Sequence, residues 1–85
     1  MSDNRAWIEN TLREAFSPST LKVIDQGWQH IGHAEEGAGH FKVLIASSQF
    51  DRLELVECHR RIYAALGDAI GSTIHALQID IVKQA

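Results

Sequence analysis

The spacing of apolar positions changes along the chain, and each change marks an element. Ile8, Leu12, Ala15 and Phe16 recur at helical spacing with Trp7 beside them, which predicts one helix with a single apolar face. Ser2 or Asp3 stands where an N-cap belongs. Ser17-Pro18-Ser19 ends the run, because a residue before proline avoids helical dihedrals. In T-L-K-V-I-D the period drops to two, with Leu21 and Val23 alternating with Lys22 and Ile24, and a short strand is expected. The run His40 to Ser47 is a stronger strand signal, with Phe41, Val43 and Ile45 on one face. Between the two strands lies a connection rich in glycine and histidine. Hairpin loops commonly hold about 2–5 residues, so this one is long, and long ordered loops tend to carry function.

Helical spacing returns after Phe50. Asp51-x-x-Glu54 reads as a capping box, followed by a stripe of Leu55, His59, Ile62 and Leu66 with Val56 and Tyr63 alongside. Gly67 is placed to stop that helix, and Asp68 to Ile70 can add one more turn before Gly71. The last apolar run predicts a strand with His75, Leu77, Ile79 and Ile81 on one face and Ala76, Gln78 and Asp80 on the other. The first two strands should pair antiparallel. The third, arriving after a helical crossover, should lie parallel to the second. The expected fold is α+β: a single α-β-β-α-α-β layer with a three-stranded mixed sheet, helices on one face, and residues 1–85 forming one domain.

Composition narrows the functional classes. The net charge is −3, so the chain lacks the overall basic footprint from which nucleic-acid binders draw affinity. A local basic group remains in Arg52, His59, Arg60 and Arg61. No apolar run approaches the ~18 residues of a membrane span, and the polar start M-S-D-N-R-A-W has no secretory h-region. The single cysteine, Cys58, has no internal partner, which points to a reducing, cytoplasmic setting.

Three of the five histidines fall in H-I-G-H-A-E-E-G-A-G-H. Imidazole is a good ligand for transition metals and titrates near neutrality. His30 and His33 can turn toward one point. The starts of the second and third strands carry His40 and His75, and a parallel arrangement brings those starts together. A loop histidine and His75 could therefore meet, but they make only half a site, since a closed zinc site needs four protein ligands. The plainer reading is a solvated loop with scattered imidazoles, with His59 bridging the second helix to the sheet. Cys58 and His59 are helix neighbours about 100° apart, so they do not form a nucleophile–base pair. No catalytic arrangement emerges, and the expectation is a protein without enzymatic activity. The order of elements resembles a KH module, yet no two glycines have the GXXG spacing of its phosphate clamp.

Several strings then stand together: F-S-P-S-T-L-K-V-I-D, G-H-F-K-V-L-I-A-S-S-Q-F, C-H-R-R-I-Y-A-A-L and I-H-A-L-Q-I. In order and spacing, from about Ile8 to Ile81, they resemble the BolA family. The resemblance implies a fold like class II KH. It implies an adaptor that binds a monothiol glutaredoxin and shares a 2Fe-2S cluster with it and with glutathione, for iron–sulfur trafficking or iron sensing. The histidine of I-H-A-L, here His75, is implied as one ligand. The other comes from the loop after the first strand, where this chain has no cysteine and so is of the histidine type. Counting forward from Asp25 favours His30, and both His30 and His33 stay open. The family's second theme is transcriptional regulation through DNA contact by the second helix and adjacent sheet, for which His59, Arg60 and Arg61 are the matching residues. No membrane association is expected, and alone the chain should be a monomer or weak homodimer.

Overall fold

A computed structural model describes residues 4–26 and 39–83. Helix α1 spans Asn4–Phe16 and buries Ile8, Leu12 and Phe16 at four-residue intervals. Ala15, expected on the same face, is exposed, because a strict i, i+4, i+8 row fills the contact and leaves the neighbouring position outside. The expected caps Ser2 and Asp3 lie outside the described residues. The helix ends at Ser17, whose N–H donates to the Arg13 carbonyl at 3.0 Å and whose φ is +44°, a left-handed stop made without glycine.

Strand β1 (Thr20–Asp25) pairs antiparallel with β2 (His40–Ala46), Val23 facing Val43. Strand β3 (Ala76–Ile81) pairs parallel with β2, Val43 facing Ile79, so the sheet order is β1-β2-β3. Phe41, Val43 and Ile45 are buried, as their alternation predicts. The α+β layer with a mixed three-stranded sheet is therefore the observed architecture.

After β2 the structure departs from expectation. Ser48–Phe50 form a single 3₁₀ turn, and Asp51 closes it instead of opening a helix. Helix α2 begins only at Leu55 and runs to Leu66, its N-cap being Glu54 with no side-chain capping bond. The capping box is not formed because Ser47 already organises this turn. Its hydroxyl is buried, donates to the Phe16 carbonyl at 2.7 Å and accepts from the Gln49 N–H at 3.2 Å. Gln49 also donates to the Ala15 carbonyl at 3.3 Å, so one turn satisfies two orphan carbonyls at the end of α1.

The buried face of α2 is Cys58, Ile62 and Leu66: Ile62 and Leu66 stand as expected, while Cys58 takes the place expected of Leu55 and His59. Leu55 and Val56 are 61% and 67% exposed and Tyr63 is 40% exposed, while His59 is half-buried. Cys58 takes the place of a core aliphatic residue. Gly67 stops the helix with a φ of +57°, and Gly67–Ala69 add a 3₁₀ turn. Among the described residues no helix is long and apolar enough to cross a membrane.

Candidate functional site

His75 is delivered by a tight turn. Ile70 and Ile74 bridge each other, the Gly71 N–H donates to the Ile74 carbonyl at 2.8 Å, and Gly71 takes a φ of +90°. The Ser72 hydroxyl donates to the Asp68 carbonyl at 2.8 Å and closes the same turn. Ile74 is buried, which anchors the turn in the core, and the next residue emerges. His75 is exposed and precedes the first residue of β3. It was expected to share the inward face of Leu77, Ile79 and Ile81. It lies outside instead, because the strand pleat begins only at Ala76.

Its position is fixed from the other side by Gly39. The Gly39 carbonyl accepts from the His75 N–H at 2.9 Å and from the Ala76 N–H at 3.2 Å. Gly39 has a φ of +79°, and a Cβ built there would lie 2.7 Å from His75 Cδ2 and 2.7 Å from the Thr73 carbonyl oxygen. The imidazole edge therefore packs directly on the Gly39 backbone, a contact open only to glycine. Sequence reasoning passed over this residue. Its signal was a glycine immediately before a strand, where a close backbone approach is a common reason for one.

Gly39 also closes the long connection that contains His30 and His33. Both of those histidines lie outside the described residues. The end of their loop is nevertheless hydrogen-bonded to the backbone of His75. His40 faces Ala76 across the parallel pair, so the starts of β2 and β3 do meet as the topology predicts. Pleat alternation puts His40 on the helix-free face with Ala76. Among the described residues no cluster of three metal-ligating side chains exists. An exposed imidazole beside a loop end offers a single nitrogen donor at the surface.

The second set of candidates sits on α2. Glu57 accepts from Arg61 Nε at 3.3 Å and lies 3.6 Å from Arg60 Nη1. Both guanidiniums thus converge on one carboxylate, which cancels part of the local positive charge. These exposed pairs are worth little in stability, since salt and solvent screen them. His59 turns inward by comparison, and its Nε2 is buried without a hydrogen-bond partner among the described residues. The structure brings Arg60 and Arg61 together and leaves His59 out of their group.

Three comparisons place this geometry among known proteins. The family model described as BolA-like protein matches residues 12–85. The Escherichia coli protein named DNA-binding transcriptional regulator BolA is 37% identical over 75 residues, covering 88% of this chain and 70% of that protein. The Arabidopsis thaliana SufE-like protein 1, chloroplastic/mitochondrial, is 38% identical over 79 residues, and the chain spans only 21% of its length. Among solved structures, the BolA domain of SufE1 from Arabidopsis thaliana superposes with a TM-score of 0.82 at 35% identity, covering 98% of this chain and 94% of that one.

Proposed function

The chain belongs to the BolA-like family, and from that premise we propose that it is an adaptor that binds a monothiol glutaredoxin and co-ligates a 2Fe-2S cluster with it. His75 would supply one ligand and His30 or His33 another, while glutaredoxin and glutathione supply thiolates. The observation that carries this reading is the Gly39–His75 contact, which ties the exposed imidazole to the end of the loop bearing the other two. The donor set fits the group in kind, because imidazole serves as a cluster ligand in Rieske centres. The described residues hold no three-ligand group, and the reading assigns the remaining ligands to glutaredoxin and glutathione. When bound, such a cluster supplies a redox centre whose potential histidine ligation raises. The protein's share is to present the rings, not to catalyse, and the role is iron–sulfur trafficking or iron sensing in the cytoplasm.

The test is visible circular dichroism of cluster-loaded glutaredoxin mixed with wild type or with His75→Ala. Wild type should change the spectrum and the variant should not. Identical spectra would remove His75 as a ligand. Running His30→Ala against His33→Ala then assigns the loop ligand.

A second reading, DNA-binding regulation, is supported by the name of the Escherichia coli relative. Arg60 and Arg61 would contact phosphates after exchanging Glu57 for them, with His59 alongside. Duplex binding near physiological salt that falls several-fold in Arg60→Ala and Arg61→Ala, with a reduced salt slope, would support it. Binding indifferent to both substitutions would end it.

A further inference from the structure

Among the described residues strand β3 is an edge of the sheet, and its apolar row is only partly covered. On β2 the inward residues Phe41, Val43 and Ile45 are all buried. On β3 the matching residues Leu77, Ile79 and Ile81 are only half-buried. A shallow groove of about 500 Å³ continues past the end of the strand, lined by Phe50, Asp51, Leu55, Ile81, Val82 and Lys83. The other edge, β1, differs: its central inward residue, Val23, is already 5% exposed.

The hydrogen-bonding groups of β3 follow the same division. The Ala76 N–H donates to Gly39 and the Val82 N–H donates to Ile45, both toward β2. By alternation, Gln78 and Asp80 also bond toward β2, while Leu77, Ile79 and Ile81 direct their N–H and C=O groups to the open edge. Among the described residues these edge groups have no partner, and an unpaired row of this kind is a template for another strand.

We infer that this edge pairs with the β3 edge of a second copy, antiparallel about a two-fold axis, joining two sheets into one. The register follows from the sequence. Centring the axis on Ile79 sets Ile79 against Ile79, Leu77 against Ile81 and Gln78 against Asp80. Edge-directed backbone groups then face one another in hydrogen-bonded pairs, and the apolar row runs unbroken across both copies. Gln78 can donate to the opposing Asp80 carboxylate, so no like charges meet within the strand pair. Centring on Asp80 opposes two carboxylates. Centring on Gln78 or Leu77 carries Ile81, or both Ile79 and Ile81, past the start of the partner strand at Ala76 and shortens the apolar row. On β1, centring on Val23 puts Asp25 against Leu21, and centring on Lys22 opposes two ammoniums. The favourable self-pairing therefore belongs to β3. It forms an isologous interface, as a two-fold axis requires, and it does not depend on the cluster reading.

Cysteine pairing reads the register directly. Gln78 and Asp80 lie on the helix-free face, away from the core, so Gln78→Cys and Asp80→Cys should fold as wild type does. In the proposed register they form a non-hydrogen-bonded cross-strand pair with Cα atoms about 4.5 Å apart, within the disulfide range of about 4.4–6.8 Å. Mixed one to one with oxidised glutathione at about millimolar protein, the two variants should give a disulfide dimer, each sulfur pair losing two electrons to glutathione disulfide. Either variant alone should not, because identical positions are then diagonal at about 7–8 Å. Sedimentation of untreated wild type should show twice the monomer mass at the same concentration. A monomeric wild type with no cross-link in the mixture overturns the proposal. Rapid cross-linking of Gln78→Cys alone overturns the register.

Discussion

Helices α1 and α2 bury the same figure: three residues at four-residue spacing, Ile8-Leu12-Phe16 on one and Cys58-Ile62-Leu66 on the other. Their outer faces differ. Helix α1 turns mostly polar residues to solvent, with Glu9 bridging Arg5 and Arg13. Helix α2 exposes Leu55, Val56 and Tyr63 while hiding a cysteine. Apolarity marks the core on α1 apart from the exposed Trp7 and Ala15, and it fails more widely on α2, where the first turn is apolar and exposed. The outer face of α2 keeps apolar residues that folding does not use.

The comparison breaks if burial does not govern energy on α2 as it does on α1. Leu12→Ala and Ile62→Ala should each cost about 2–5 kcal/mol in denaturant unfolding, because both leave cavities in a closed core. Leu55→Ala should stay within about 0.5 kcal/mol. A cost at Leu55 rivalling that at Ile62 would show that α2 is rotated from the orientation described.

The anchoring of the two helices differs in the same direction. Ser47→Ala removes the buried donor to the Phe16 carbonyl and should cost about 1–3 kcal/mol by the same measurement. A neutral result would mean the hydroxyl does not hold α1. The helix stops provide a reciprocal exchange. Gly67→Ala should lose about 1–3 kcal/mol, since its φ of +57° with ψ of −129° is costly for any residue with a Cβ. Ser17→Gly should gain stability by relieving its positive φ, about 1–2 kcal/mol, partly offset by about 0.4–1 kcal/mol of added unfolded-chain entropy. Opposite signs in thermal melts would confirm that α1 tolerates a strained stop that α2 avoids.

Smallest is the effect of pH. Burial pushes the Cys58 thiol above its ordinary range, with its backbone hydrogen bond and Arg61 opposing the shift and Glu57 reinforcing it. The folded state then holds the proton where the unfolded state releases it. Stability from this group is full below the free thiol's pKa, about 8.5, and declines as pH rises through and beyond it. Cys58→Ala should flatten that part of the alkaline decline relative to wild type. Parallel profiles would place the loss in other groups.

These contrasts explain what could be read from the sequence. Helix α1 and all three strands were legible because polar residues separate their apolar positions at a clean period. The parallel pairing of β3 followed from the intervening helix, and with it the meeting of the starts of β2 and β3. Helix α2 was legible in Ile62 and Leu66 but not in its first turns, because Leu55 and Val56 outrank Cys58 as apparent core residues while lying on the solvent side. The capping box at Asp51 failed because Ser47, four residues earlier, makes a tertiary bond to α1 that no local pattern encodes. At the site, the I-H-A-L string located His75 but not its exposure, which depends on the buried Ile74 before it. Gly39 stayed hidden because its partner lies 36 positions away in the chain (75 − 39) and is joined through backbone hydrogen bonds.

Cys58 is the only thiol in the chain and is 2% exposed. A small alkylating reagent can reach it only when α2 parts from the sheet, so its labelling rate, divided by that of a free thiol at the same pH, measures how often the core opens. The unmodified protein thus contains its own clock for spontaneous breathing, readable by mass spectrometry without a dye or a substitution.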